Sequence, residues 1–376
     1  MAKKFPVIAL VGPRQSGKTT LSKMIFKNYR YVSLEDPDNA LFAETDPKGF
    51  LKLYNKHVIF DEIQKTPSLF SYIQGVVDAL DETGVYILSG SQNFQLLEKI
   101  TQTLAGRVYM MELLPLSQQE LKEVGKKDCF NSMLAGGYPR IYDKEISPSD
   151  YYPNYIKTYI ERDVRSIVNV QDLSLFRKYV QLLAYRVGQL LNLTSISKEL
   201  GVDVKTLQKW LSVLETSYIV FTLNPWHQNF SKRLVKTPKL YFYDTGLVSY
   251  LLGIEKDSDL TTSKFKGALF ENYGILEILK AYKNKGLQYP FYFWRDSNGN
   301  EIDLLIEKGL EIKLIEIKAS ETVKSEFLKS LHYLDSLNQQ FAFKHFLYNT
   351  MDEVQARSME TIVGWRQAEK ILDESL

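Results

Sequence analysis

Gly12-Pro13-Arg14-Gln15-Ser16-Gly17-Lys18-Thr19, followed by Thr20, is the stretch that decides the fold. Ahead of it, Pro6–Val11 is an apolar run of the length and composition of a short buried strand. Behind it, Thr20–Phe26 has the spacing of an amphipathic helix. The octapeptide fits G-x-x-x-x-G-K-[ST], and both flanks are those the pattern needs. A strand, a Gly-rich turn and a helix N-terminus together make a phosphate cradle, because backbone N–H groups converge there and the helix dipole favours an anion. Residues Gly12 to Thr20 are therefore the candidate contacts of a nucleoside triphosphate. Lys18 is placed to reach the β- and γ-phosphates, and the Thr19 hydroxyl to hold Mg²⁺.

The chain of 376 residues has room for two or three domains. Its 44% hydrophobic and 24% charged content is that of an ordinary globular protein. No apolar run reaches the ~18 residues of a membrane span, and no signal-peptide pattern precedes the first strand, so a cytoplasmic protein without a membrane partner is expected. Cys129 is the single cysteine, which excludes an intrachain disulfide. The four histidines are scattered, with no zinc spacing. A net charge of +2 is silent on nucleic acid; local charge has to carry that argument.

Short apolar strands at Val7–Val11, Tyr31–Leu34, His57–Phe60, Val85–Leu88 and Val108–Leu113 alternate with helical stretches. That alternation predicts a parallel sheet covered on both faces. His57-Val-Ile-Phe-Asp61-Glu62 is an apolar strand that ends in two acids, the Walker B arrangement. Asp61 there would hold Mg²⁺ through water and Glu62 would polarise the attacking water. Val85–Asn93 is a strand ending in small polar residues. Ser91 and its neighbours either orient a water at the sheet edge or cap a helix over Gln92–Glu98. Arg107, between a helix and a strand, reads either as an arginine finger, in cis or across a subunit boundary, or as a surface ion pair.

The order P-loop, Asp-Glu strand, Ser-Gly-Ser strand and Ala-Gly-Arg resembles the AAA+-type ATPases. More closely, the chain resembles a group of bacterial and archaeal ATPases with an uncharacterised C-terminal region. The shared phrases are Gly12–Thr19, Leu34-Glu-Asp-Pro37, Phe60-Asp-Glu-Ile-Gln64, Leu104-Ala-Gly-Arg107, Leu113-Leu-Pro-Leu-Ser117, Gly136-Gly-Tyr-Pro139, Tyr159-Ile-Glu-Arg-Asp163 and Tyr243-Asp-Thr-Gly-Leu247. The resemblance runs from about residue 5 to about residue 320. The resemblance implies ATP binding and hydrolysis, and leaves the biological role open.

Ile196–Leu211 has the rhythm of helix, turn and helix, with Gly201 at the turn and Leu200, Leu207, Leu211 and Leu214 able to share a core. The hairpin of Tyr218–Leu223 and Lys239–Tyr243 would be its wing. The tip Ser231–Lys239 carries Lys232, Arg233, Lys236 and Lys239, and Lys205 and Lys209 lie one turn apart on the second helix. This is the pattern of phosphate contacts on DNA, set against a winged helix that serves only in packing.

Near the C-terminus, Glu301-Ile-Asp303 opens one strand and Leu310–Lys318 forms the next. Glu316 and Lys318 share a face because strand side chains alternate. Pairing of the two strands would bring Asp303, Glu316 and Lys318 together, with Glu271 joining from the preceding helix. Such a set can hold Mg²⁺ or Mn²⁺ and activate water for phosphodiester cleavage. The order helix, three strands, helix, strand resembles the PD-(D/E)xK nuclease fold, although Ile302 stands where that motif has proline. The plainer alternatives are solvated strand faces, or an inert cluster that only binds DNA or partners.

The expected fold class is α/β. The expected domains are a P-loop AAA+-type ATPase core (1–115), a helical lid or connector (116–165), a winged helix-turn-helix (166–253), a linker (254–264), a PD-(D/E)xK nuclease-like domain (265–350) and a helical tail (351–376). The expected function is ATP hydrolysis coupled to action on DNA, with ATP-gated cleavage as its extension. The alternative is a regulatory ATPase that switches a protein–protein interface. A trans role for Arg107 would require a homo-oligomer, and the switch would require a protein partner.

Overall fold

The computed structural model describes residues 1–91, 102–122, 124, 128–161, 172–226, 236–288, 290–337 and 340–372. These residues fall into two compact units: Met1–Pro115 with Thr216–Tyr218, and Leu116–Glu215 with Ile219–Leu376.

The first unit is built on the apolar runs seen in the sequence. Its elements are β1 (Val7–Gly12), α1 (Lys18–Ile25), β2 (Arg30–Ser33), α2 (Pro37–Thr45), α3 (Pro47–Leu53), β3 (Val58–Asp61), α4 (Leu69–Leu80), β4 (Tyr86–Ser91) and β5 (Val108–Glu112). The strands pair in the order β2-β3-β4-β1-β5, all parallel. Every residue of β1 and β3 is buried. Alternation sends Val7, Ala9 and Val11 into one apolar cluster with Phe50, Phe60 and Phe70, and Ile8 into another with Ile59 and Ile87. A sheet covered on both faces needs such continuous apolar strands. The order also places β4 between the strand that leads to the P-loop and the strand that ends in Asp61, so three C-terminal strand ends meet at one edge.

The second unit begins with short helices α5 (Gln118–Leu121), α6 (Cys129–Ala135), α7 (Pro139–Asp143) and α8 (Pro148–Tyr155). Then come α9 (Leu173–Ala184), α10 (Leu193–Leu200), α11 (Val204–Thr216, which crosses into the other unit at its last residue), β6 (Val220–Pro225) and β7 (Lys239–Phe242). It continues with α12 (Thr245–Leu251), α13 (Asp257–Thr262), α14 (Lys266–Asn284), β8 (Phe291–Arg295), β9 (Glu301–Lys308), β10 (Glu311–Lys318), α15 (Lys329–Leu337), β11 (Ala342–Asn349), β12 (Gln355–Ala356) and β13 (Glu360–Gly364). Gly201, at φ 68, ends α10 and turns the chain toward α11 in a conformation that costs a non-glycine residue more.

One sheet runs through this unit in the order β12-β13-β11-β10-β9-β8-β6-β7. The β6–β7 hairpin joins the C-terminal strands because Asn224 and Pro225 pair parallel with Tyr292 and Phe293 of β8. A single apolar cluster includes Met133, Leu207, Trp210, Ile315, Trp365 and Ile371. Residues of both 166–253 and 265–350, expected as separate domains, contribute to this cluster. Residues 254–264 are no loose linker: α13 occupies most of them, and Ile254 and Leu260 are buried in that core. The expected helical tail is corrected as well. Thr361-Ile362-Val363 is a β-branched run that pairs with β11, and among the described tail residues the helical part is the short 3₁₀ turn Ala368–Leu372.

Candidate functional site

The P-loop follows β1 without a break. Gly12 (φ 148) passes so close to Leu113 that a Cβ would lie 2.2 Å from its carbonyl oxygen, which only glycine tolerates. Gly17, at φ 95, stands as the N-cap of α1. Lys18 is buried and its Nζ donates to the carbonyl oxygens of Gly12 (3.0 Å) and Pro13 (2.6 Å). Burial pulls its ammonium down to about 8, against the raising influence of Glu62 and Asp61. The Ser16 hydroxyl is buried with no hydrogen-bond partner, and a buried polar atom of this kind is costly unless a partner arrives. A buried cation, an orphaned hydroxyl and a helix N-terminus in one loop fit a polyphosphate. Thr20 points to solvent.

The acidic side of the site is organised by three hydroxyls. Thr19 Oγ1 donates to Asp61 Oδ2 at 2.8 Å, and Tyr31 OH donates to the same oxygen at 2.8 Å. Ser89 Oγ donates to Asp61 Oδ1. Burial and the Asp61 hydrogen bond push the Tyr31 phenol up to about 12, so it stays a donor. Glu62 follows in the left-handed region at φ 55, and Gln64 Nε2 donates to its Oε2. Thr19 and Asp61 are thus in direct contact beside the loop that holds Lys18, and their arrangement fits a Mg²⁺ held by Thr19 and Asp61.

Sequence reasoning missed Tyr31, Ser89 and Gln64. Ser89 had a signal, since it lies on the same short strand as Ser91; the parallel register pairs Ser89 with Asp61. Gln92 and Asn93 lie outside the described residues. Arg107 lies apart from the P-loop. It precedes β5, opposite the start of β1 in the parallel register, so the length of the strand separates it from the P-loop. Its guanidinium pairs with Asp78, with Nη2–Oδ2 at 2.9 Å, and also bonds the Ala105 carbonyl. A finger acting on the phosphates of its own chain is excluded by that position.

In the second unit, Lys205 and Lys209 are exposed along α11, while Leu207, Trp210, Leu211 and Leu214 are buried. Lys232 and Arg233 of the hairpin tip lie outside the described residues. Lys239 does not belong to an exposed tip: it is 2% exposed, inside the sheet.

The carboxylates cluster on β9, β10 and α14. Antiparallel pairing sets Leu304 against Ile315 and brings Asp303 level with Glu316. Lys318 Nζ lies 2.5 Å from Glu316 Oε1 and 3.6 Å from Asp303 Oδ2, and Asp303 Oδ2 accepts from the Ile317 amide at 2.8 Å. Glu316 Oε2 is buried without a hydrogen-bond partner. Burial and the nearby Asp303 push the Glu316 carboxyl up to about 8. Glu271 accepts from Lys239 Nζ (2.9 Å) and Tyr241 OH (2.5 Å) at Oε1, and burial raises its carboxyl too. Among the described residues, the group of three able to share a metal ion is Glu271, Glu301 and Asp303, whose oxygens lie within 4.8 Å of one another. Glu316 is outside that trio, and Glu301 is the member the sequence reading passed over, although alternation puts it on the face of Asp303. Oxygen donors of this type suit Mg²⁺, Mn²⁺ or Ca²⁺.

Comparison with known proteins places these sites in a lineage. Residues 4–122 match the AAA domain family; residues 126–258 and 266–367 match two domains of unknown function, DUF8612 and DUF4143. Uncharacterized proteins of Mycobacterium bovis and Mycobacterium tuberculosis are each 32% identical over 323 residues, covering 85% of this chain and 71% of theirs. An uncharacterized Haemophilus influenzae protein is 22% identical over 78% of this chain and 72% of its own. Among solved structures, a Thermotoga maritima RuvB variant aligns with TM-score 0.31 at 19% identity, over 58% of this chain and 81% of that one. A Pyrococcus horikoshii signal transduction ATPase with numerous domains aligns with TM-score 0.22 at 10% identity, over 76% and 44%. No helix among the described residues is long and apolar enough to cross a membrane. At the identity and coverage of the mycobacterial relatives, the chain belongs to one family with them, and it carries an AAA-type ATPase domain with the nucleotide-binding P-loop that this domain implies.

Proposed function

We propose that this protein is a Mg²⁺-dependent ATPase that acts on DNA. The observation that carries the reading is the Asp61 carboxylate, fixed by Thr19, Tyr31 and Ser89 beside the Lys18 cradle. Mg²⁺ at Thr19 and Asp61 would neutralise charge on the phosphates. Lys18 exchanges its two carbonyl partners for phosphate oxygens. Glu62, released from Gln64, orients water for attack on the γ-phosphate. Arg107 serves the neighbouring subunit of a homo-oligomer, where the edge distant from its own P-loop becomes useful.

DNA contact is supported by Lys205 and Lys209, exposed one turn apart on the second helix of a helix–turn–helix followed by a hairpin. Cleavage is a further reading of the same kind, favoured by one observation: the orphaned Glu316 Oε2 beside Asp303 and Lys318. There Asp303 and Glu316 would hold a divalent cation, and Lys318 would steady the attacking water or the developing charge. In the competing reading the ATPase switches a protein interface and the carboxylate cluster is inert.

ATP turnover measured with and without DNA separates the two. DNA stimulation in Mg²⁺, lost in EDTA, supports the first; turnover indifferent to DNA supports the switch. Cleavage is assayed on linear, nicked and branched DNA with Mg²⁺ or Mn²⁺, with Asp303→Ala and Lys318→Ala as controls. Nicking that survives both substitutions belongs to a contaminant. For Arg107, mixing Arg107→Ala with Asp61→Ala protein should restore part of the turnover if the two co-assemble; no restoration in co-assembled mixtures would remove the trans role.

A further inference from the structure

Lys239 is a buried ammonium that the proposed chemistry does not use. It is 2% exposed, and its Nζ bonds Glu271 Oε1 at 2.9 Å and pairs with Glu301 Oε1. Those two residues, with Asp303, are the trio whose oxygens lie within 4.8 Å of one another. A cation about 2.0–2.6 Å from each oxygen spans such a gap, so the ammonium touches two members of a set that can ligate a metal. The position is rigid as well: Lys239 pairs with Leu223 of β6 on one side and bridges Leu190 on the other. The second side of the cluster points to a ligand independently. The Glu316 side chain is 9% exposed, with Oε1 on Lys318 and Oε2 buried without a partner.

We propose that the Lys239 ammonium is a built-in cation of the carboxylate cluster, fixed at Glu271 and Glu301, so that only the Asp303–Glu316 side takes an exchangeable divalent ion. The one-ion count rests on the divalent-cation reading of Asp303 and Glu316; the filling of the Glu271–Glu301 position does not. Four carboxylates in one partly buried cluster repel one another unless cations intervene. The strand β7 supplies one cation covalently, beside Lys318 from β10. Two-ion phosphodiester chemistry needs a pair of metals about 3.5–4 Å apart, and a lysine standing in one position restricts the site to one.

The test is Mn²⁺ counting by electron paramagnetic resonance on the full chain stripped with EDTA, native against Lys239→Met, with thermal melting alongside. The native chain is expected to take one Mn²⁺ at this cluster and Lys239→Met two, with a Mn²⁺-dependent rise in melting temperature larger than that of the native chain. Adding Glu271→Gln to Lys239→Met should remove the extra ion. A count of zero in the native chain and one in Lys239→Met upholds the built-in cation while sinking the metal reading of Asp303 and Glu316. Equal counts in the two proteins, or an extra ion that survives Glu271→Gln, overturn the proposal. If Lys239→Met does not fold, Lys239→Met with Glu301→Gln keeps the net charge of the cluster; it should still gain one weaker Mn²⁺ through Glu271 and Asp303, and no gain overturns the proposal equally.

Discussion

The P-loop site and the carboxylate cluster solve opposite electrostatic problems. At the P-loop the chain buries one cation, Lys18, and lends it two backbone carbonyls. Its acid, Asp61, is satisfied by three neutral hydroxyls. At the cluster the chain buries carboxylates and offsets them with lysines drawn from β7 and β10. The first site leaves a buried ammonium on neutral carbonyls, and the second leaves a buried carboxylate oxygen without a donor. A polyphosphate suits the first and a divalent cation the second. The difference also shows in burial effects: the Lys18 ammonium is pulled down to about 8 and the Glu316 carboxyl pushed up to about 8.

The largest effect that would break this contrast is at Lys18. Lys18→Ala removes the one buried cation of the cradle, and ATP affinity measured by calorimetry is expected to fall by at least ~100-fold, about 2.7 kcal/mol. Binding within threefold of native would mean that the backbone cradle alone holds the nucleotide. Next in size is Glu316. A carboxyl whose folded pKa lies above its unfolded value contributes stability below the unfolded pKa, and that contribution is lost as pH rises through the folded pKa. In EDTA, native melting temperature should therefore decline between pH 5 and 9 more steeply than that of Glu316→Gln, with a gap of about 2–6 °C at pH 9. Parallel curves would show that Lys318 already compensates the buried charge.

The first unit was far more legible than the second, and the reason is sequence distance. The P-loop and the Asp61-Glu62 strand are contiguous runs whose apolar flanks dictate strand and helix, so a local pattern carries both fold and chemistry. Asp303, Glu316 and Lys318 were readable from alternation within two neighbouring strands. Lys239 was not, because it belongs to a strand more than sixty residues ahead of Glu301 and looks like part of a basic hairpin tip. Only the pairing of β6 with β8 brings that strand into the C-terminal sheet. Tyr31 was hidden for the same reason: β2 pairs with β3, and its phenol reaches Asp61 across the register. The tail was misread because β13 gains its strand partner from the distant β11, and β12 then pairs back onto β13.

A smaller effect sharpens the comparison on the DNA side. Lys205→Ala with Lys209→Ala should weaken DNA binding about 3–10-fold at low salt and reduce the slope of log affinity against log salt by roughly 2, in a fluorescence anisotropy titration. An unchanged slope would leave that helix with a packing role. The smallest effect is a proton count. Phosphate in the cradle raises the Lys18 pKa again, so ATP binding at pH 8 should take up a fraction of a proton, and affinity should weaken as pH rises above about 8. Calorimetry in buffers of different ionisation enthalpy reads this directly; identical heats in all buffers would place the Lys18 pKa well away from 8.

The central claim is that Asp61 and Glu62 divide the work at the P-loop, one for the cation and one for water. Single-turnover hydrolysis of ATP with Mg²⁺, native against Glu62→Gln, tests it most directly. The account predicts ATP affinity within about threefold of native and a hydrolysis rate lower by ~100-fold or more, because only water positioning is removed. Hydrolysis by Glu62→Gln at the native rate would contradict it.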